Sequence, residues 1–156
     1  MPELDLDEVI ESCKAEARDI ARFQEHGPIL TLLKGGEPKV VLLAGRQSVS
    51  QQLHTVLARE QPDAYVLVTE ARLRAGGREP AYVGEIADNP ELPELLFVIG
   101  SPRGGPVRHW KANIWPAANR AARRRGEREV GMWENVVETI AGTGLAATGA
   151  MLVENW

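Results

Sequence analysis

The sequence predicts an α+β protein: an antiparallel or mixed β-sheet of about five to six strands with two helices on one face. Three observations predict it. Apolar runs flank Gly35-Gly36, which is the pattern of a β-hairpin. Residues 5–24 and 48–60 carry apolar side chains at three- and four-residue spacing, which is the period of a helix. Further apolar, β-branched runs follow at 64–69 and 94–99. A tight hairpin demands antiparallel pairing, so an all-parallel α/β sheet is excluded.

The first helix, over 5–24, buries Leu6, Val9, Ile10, Cys13, Ala17, Ile20 and Ala21 on one stripe. Asp5 with Glu8 suits a capping box, and Gly27-Pro28 closes the segment. Ile29–Leu33 and Val40–Leu43 are the hairpin strands. Each run is nearly continuous rather than alternating, which implies cover on both faces, or one covered face and an oligomer contact. Ser48-Val49-Ser50-Gln51 opens a second helix that buries Val49, Leu53, Val56 and Leu57, and Pro62 stops it. Tyr65–Thr69 reads as a strand. Residues 70–92 contain Gly76-Gly77, Pro80, Gly84 and Asn89-Pro90 and read as a long irregular connection, a length often tied to function. Glu94–Ile99 is the next strand. Beyond it, Val107–Pro116 and Glu129–Val136 form a hairpin joined by a basic tip from Asn119 to Arg128, with a short helix over 117–125 as the alternative. The tail, 137–156, fits a frayed helix or a last strand equally well.

Composition bounds the function. The chain has 156 residues, 44% hydrophobic and 26% charged, with a net charge of −4, so one domain over 1–156 is expected. The single cysteine, Cys13, excludes an internal disulfide. No apolar run approaches the roughly 18 residues of a membrane helix, and the first residues are acidic where a signal peptide is basic. A cytoplasmic protein with no membrane partner is expected.

Pro62-Asp63-Ala64-Tyr65-Val66-Leu67-Val68-Thr69-Glu70-Ala71, with the later Glu94-Leu95-Leu96-Phe97-Val98, resembles a segment of a group of small bacterial and archaeal proteins to which no activity is attached. Those proteins often place an aromatic residue next, where this chain has Arg72-Leu73. The resemblance covers about half the chain, Ile29 to Ile99, and implies an element order only.

The familiar catalytic signatures are missing. His26, His54 and His109 are isolated, and no Cys-x-x-Cys pair, calcium loop, Walker loop or nucleophile elbow occurs, so no metal or cofactor is expected. Cys13 sits on the apolar stripe and reads as packed rather than reactive. Gly100-Ser101-Pro102-Arg103-Gly104-Gly105 reads as a hairpin turn, its alternative being a backbone cradle for an anion with Arg103 as its fork.

Charge is unevenly spread. Arg103, Arg108, Lys111, Arg120, Arg123, Arg124, Arg125 and Arg128 against Glu127 give +7 in one segment, leaving −11 for the rest of the chain. The readings are a solvated tip, a contact with a protein or a second copy, and an anion site on Arg103, Arg108, Lys111, Arg123, Arg124 and Arg125. The chain's overall acidity counts against a dedicated nucleic-acid binder. Glu70, Arg72, Arg74, Glu85, Asp88 and Glu94 flank the long connection, and a hydrolase-type acid–base pair there is a third reading. Trp110, Trp115, Trp133 and Trp156 all lie in the C-terminal third, and tryptophan is favoured at interface hot spots. The favoured expectation is a non-enzymatic protein acting through protein contact, by self-association. Nucleic acid or a phosphate-rich ligand is the runner-up.

Overall fold

The computed structural model describes residues 5–44, 49–72, 94–105 and 107–135. Helix α1 (Leu6–Ala21) leads into the hairpin of β1 (Ile29–Lys34) and β2 (Glu37–Leu42). Helix α2 (Val49–Glu60), β3 (Ala64–Arg72), β4 (Glu94–Pro102) and β5 (Arg108–Pro116) follow. The one-turn helix α3 (Arg120–Arg124), β6 (Arg128–Val130) and β7 (Glu134–Asn135) complete the described chain. The strands form one antiparallel sheet in the order β2-β1-β3-β4-β5-β6, with β7 pairing β5 beyond the end of β6. The α+β class and the antiparallel sheet are as the pattern predicts, with seven strands among the described residues.

The helices do not share a face. Alternate residues of the central strands point to opposite sides. Leu33, Val66, Val68, Leu96 and Val98 pack with Val9, Ile10, Ala17 and Ala21 of α1. Leu30, Leu32, Tyr65, Leu67 and Ile99 pack with Val49, Leu53, Val56 and Leu57 of α2 on the other side. The near-continuous apolar runs are the cause. A strand such as Ile29–Leu33 offers an apolar row to each side, and one helix cannot cover both.

Local chemistry sets the ends. The Asp5 carboxylate accepts from the Glu8 backbone N–H at 2.8 Å and caps α1. Gly35 and Gly36 have φ of 61° and 78°, the left-handed pair that a two-residue hairpin turn requires. Gly100 lies inside β4 under α1, where a Cβ would stand 2.7 Å from Ile10 Cδ1, so its missing side chain lets the helix sit close. The hairpin tip at 117–127 contains α3, capped by the Asn119 side chain accepting from Ala122 N–H. A hairpin tip and a short helix thus coexist there.

Candidate functional site: an arginine latch and two unlike sheet edges

Glu70 is an acid inside an apolar strand, and it is 2% exposed. An ionised carboxylate there needs a cation. Arg128, on β6, supplies it. Its guanidinium binds both Glu70 oxygens and donates to Glu94 Oε2 at 3.4 Å. The same side chain donates to the carbonyl oxygens of Ala21 at 2.9 Å and Gln24 at 2.6 Å, while the Arg128 backbone N–H donates to Arg22 O. The Ala21 and Arg22 carbonyls are ones that the end of α1 leaves without helical partners, and Gln24 lies in the turn just after it. Arg18 returns the contact by donating to Val130 O. Glu70 Oε1 also accepts from His26 N–H at 2.8 Å. Burial lowers the Arg128 pKa, but the hydrogen bonds and charge of Glu70, with Glu94 and Glu25, outweigh it, so the net shift is upward. The cluster is a latch that ties the α3–β6 tip to α1 and to β3.

Beside the latch lies a cleft of about 390 Å³ between the last turn of α1 and the tip. Arg18, Arg22, Phe23, Asn119, Glu127 and Glu129 are among its lining residues. Glu70 and Glu94, two carboxylates of the acid–base set read from the sequence, meet here, with Arg128 between them. Arg74, Glu85 and Asp88 fall outside the described residues, as does the side chain of Arg72. The signal for the latch was present in the sequence as an acid within an apolar run. Its partner, 58 positions away, was not.

The basic residues of 103–128 do not converge. Arg103 donates to the backbone oxygens of Gln61 and Pro62, beside the turn in which Gly105 N–H donates to Pro102 O. Arg108 pairs with Asp7 at 2.7 Å, Lys111 with Glu134 at 3.4 Å and Arg125 with Glu127 at 2.9 Å. Arg120, Arg123 and Arg124 are exposed on α3, with no ion pair among the described residues.

The tryptophans also part company. Trp110 and Trp133 are half-buried against the α1-side core, and Lys14 Nζ stands 4.8 Å from the Trp110 ring. Trp115 is 50% exposed and leans over Gly131, whose Cβ would be 3.1 Å from its ring. Trp156 lies outside the described residues. Cys13 is half-buried with Sγ 4.0 Å from Thr31 Oγ1, and burial pushes its thiol pKa up. His26 is buried with Nδ1 2.7 Å from Gly27 O, His109 is buried on β5, and His54 is exposed on α2. Among the described residues, no group of His, Cys, Asp or Glu is placed to hold a metal, and no helix is long and apolar enough to cross a membrane.

An exposed apolar pair that sequence reasoning did not single out is on β2. Val40 is 62% and Leu42 71% exposed, on the α1 side of the sheet beyond the helix's reach. Their neighbour Lys39 is drawn back across the other face, with Nζ 3.0 Å from Glu60 Oε1 of α2. That hydrogen bond holds the Glu60 carboxyl below its ordinary pKa.

No protein-family profile, curated protein or solved structure matches the chain.

Proposed function

We propose that this protein works through protein contact, with a second copy of itself as the partner, and not by catalysis. The observation that carries the reading is the edge of the sheet at β2, where Val40 and Leu42 stand in solvent on a strand that, among the described residues, pairs on one side only. Isolated exposed apolar residues are ordinary, but two on one free strand edge form a template for another strand. The acid–base candidates support the same reading, because Glu70 and Glu94 are engaged by Arg128.

Size exclusion with light scattering, at low and high salt, tests it. A salt-resistant dimer is expected, with an absorbance ratio free of nucleic acid. A monomer at every protein concentration overturns it.

A second reading rests on α3. Arg120, Arg123 and Arg124 present three exposed guanidinium groups, which suits a phosphate-rich ligand. Under that reading, oligonucleotide binding is lost on replacing Arg123 and Arg124 with Gln and weakens steeply with salt. Binding unchanged by the double replacement removes it.

A further inference from the structure

Resting on the self-association reading, we infer that two copies join β2 to β2, antiparallel, about a two-fold axis through Val41. The hydrogen-bond phase of the hairpin leads to this register. The two-residue turn at Gly35-Gly36 makes Lys34 and Glu37 a hydrogen-bonded pair, so residues 37, 39 and 41 turn their backbone groups toward β1. The Leu43 N–H, donating to Pro28 O at 3.0 Å, keeps the same phase. Residues 38, 40 and 42 therefore direct their backbone groups to the open side.

Both ends of that open row are closed. Pro38 has no N–H to offer. The Ala44 N–H is taken by Gln52 Oε1 at 3.2 Å. What remains with both a donor and an acceptor is Val40 and Leu42, centred on Val41. A two-fold through Val41 sets Val40 opposite Leu42 of the second copy, and each such pair exchanges both of its N–H···O bonds. No outward N–H is left without an acceptor.

The side chains agree with the backbone. On the α1 side, Val40 and Leu42 of the two copies form one apolar row, continued by Ile29, the register partner of Leu42. On the α2 side Val41 meets its own copy, beside the core that it already borders. The usual guard against such pairing is an edge lysine. Here Lys39 is held back by Glu60, and residues 40–43 carry no charge. The axis is perpendicular to the sheet, so the contact closes on itself as a dimer and does not propagate.

Light scattering on the full chain and on Leu42→Lys, with circular dichroism as a check on folding, is the first arm. Dimer for the former and folded monomer for the latter is expected, since Leu42 is exposed and tolerates the change in a monomer. The second arm reads register by mild oxidation in a Cys13→Ser background. Val41→Cys lies opposite itself across a close non-hydrogen-bonded pair and cross-links, while Val40→Cys lies too far from its own copy to do so. A dimer that survives Leu42→Lys, or one in which Val40→Cys cross-links and Val41→Cys does not, overturns this interface and leaves self-association standing. A wild type that stays monomeric overturns both.

Discussion

At one side of the sheet β2 runs six residues, Glu37–Leu42, with five of them exposed and the apolar Val40-Val41-Leu42 as its second half. At the other side β6 contributes three residues and β7 two, both paired to β5 and separated by Gly131–Trp133. The second edge carries Arg128, Glu129 and Glu134 on its strands and Trp115 folded across Gly131. It has the devices that keep sheets apart: short strands, charges and interruption. The first edge has one proline at its start and a lysine turned away. Among the described residues, edge protection is thus a local choice, made on one side of the sheet and left undone on the other.

The protected side is the more sensitive of the two, through Arg128. Arg128→Ala leaves Glu70 buried without its cation and the end of α1 without a cap. A loss of about 3–5 kcal/mol is expected in urea unfolding. Pairing it with Glu70→Gln restores part of that loss, because the double change removes both charges. An additive pair shows that the two residues do not act as a unit.

Gly100→Ala serves as a control far from both edges. Its Cβ meets Ile10, so about 1–3 kcal/mol of stability is lost. The dimer nonetheless persists at temperatures where the variant stays folded. Loss of the dimer in a folded Gly100→Ala protein contradicts an interface confined to β2.

Gly36→Ala acts on the open side through the turn. A φ of 78° costs an L-residue about 1–2 kcal/mol. Because the turn sets which backbone groups of β2 face outward, dimer affinity falls along with stability. A variant that unfolds earlier yet dimerises with unchanged affinity separates the turn from the register.

The smallest effect belongs to Glu60→Gln. It removes the charge that retains Lys39, letting the ammonium reach the edge and weaken the dimer slightly. The pH dependence has a definite sign. Lys39 depresses the folded-state pKa of Glu60, so the contribution of the pair is present above the ordinary carboxylate range and is lost as pH falls through the depressed value. Dimer affinity in the wild type should therefore drop only below the ordinary carboxylate range, whereas Glu60→Gln shows no such step. A step of equal size in Glu60→Gln assigns it to another group.

Much of this architecture was legible along the chain. Apolar period and turn chemistry are local properties, so Leu6–Ala21, the Gly35-Gly36 hairpin and the strands at Tyr65 and Phe97 could be located from neighbours alone. The Asp5 cap was readable for the same reason. The site was far less legible. Arg128 looked like one more charge in a basic tip, because nothing in its neighbourhood states that Glu70 lies beside it. Arg108, Lys111 and Arg125 looked like parts of one patch, yet β5 carries the first two to Asp7 and Glu134, while Arg125 at the end of α3 pairs with Glu127.

Residue spacing alone determined the class and the pairing sense of the hairpin, and it left open whether both faces of the sheet are covered or one face meets another copy. Tertiary structure decided which helix covers which face, which carboxylates share Arg128 and which strand is left at an open edge. Those outcomes depend on contacts between residues tens of positions apart. Chain order constrains such contacts weakly, and the packing of two apolar rows against two helices selects them.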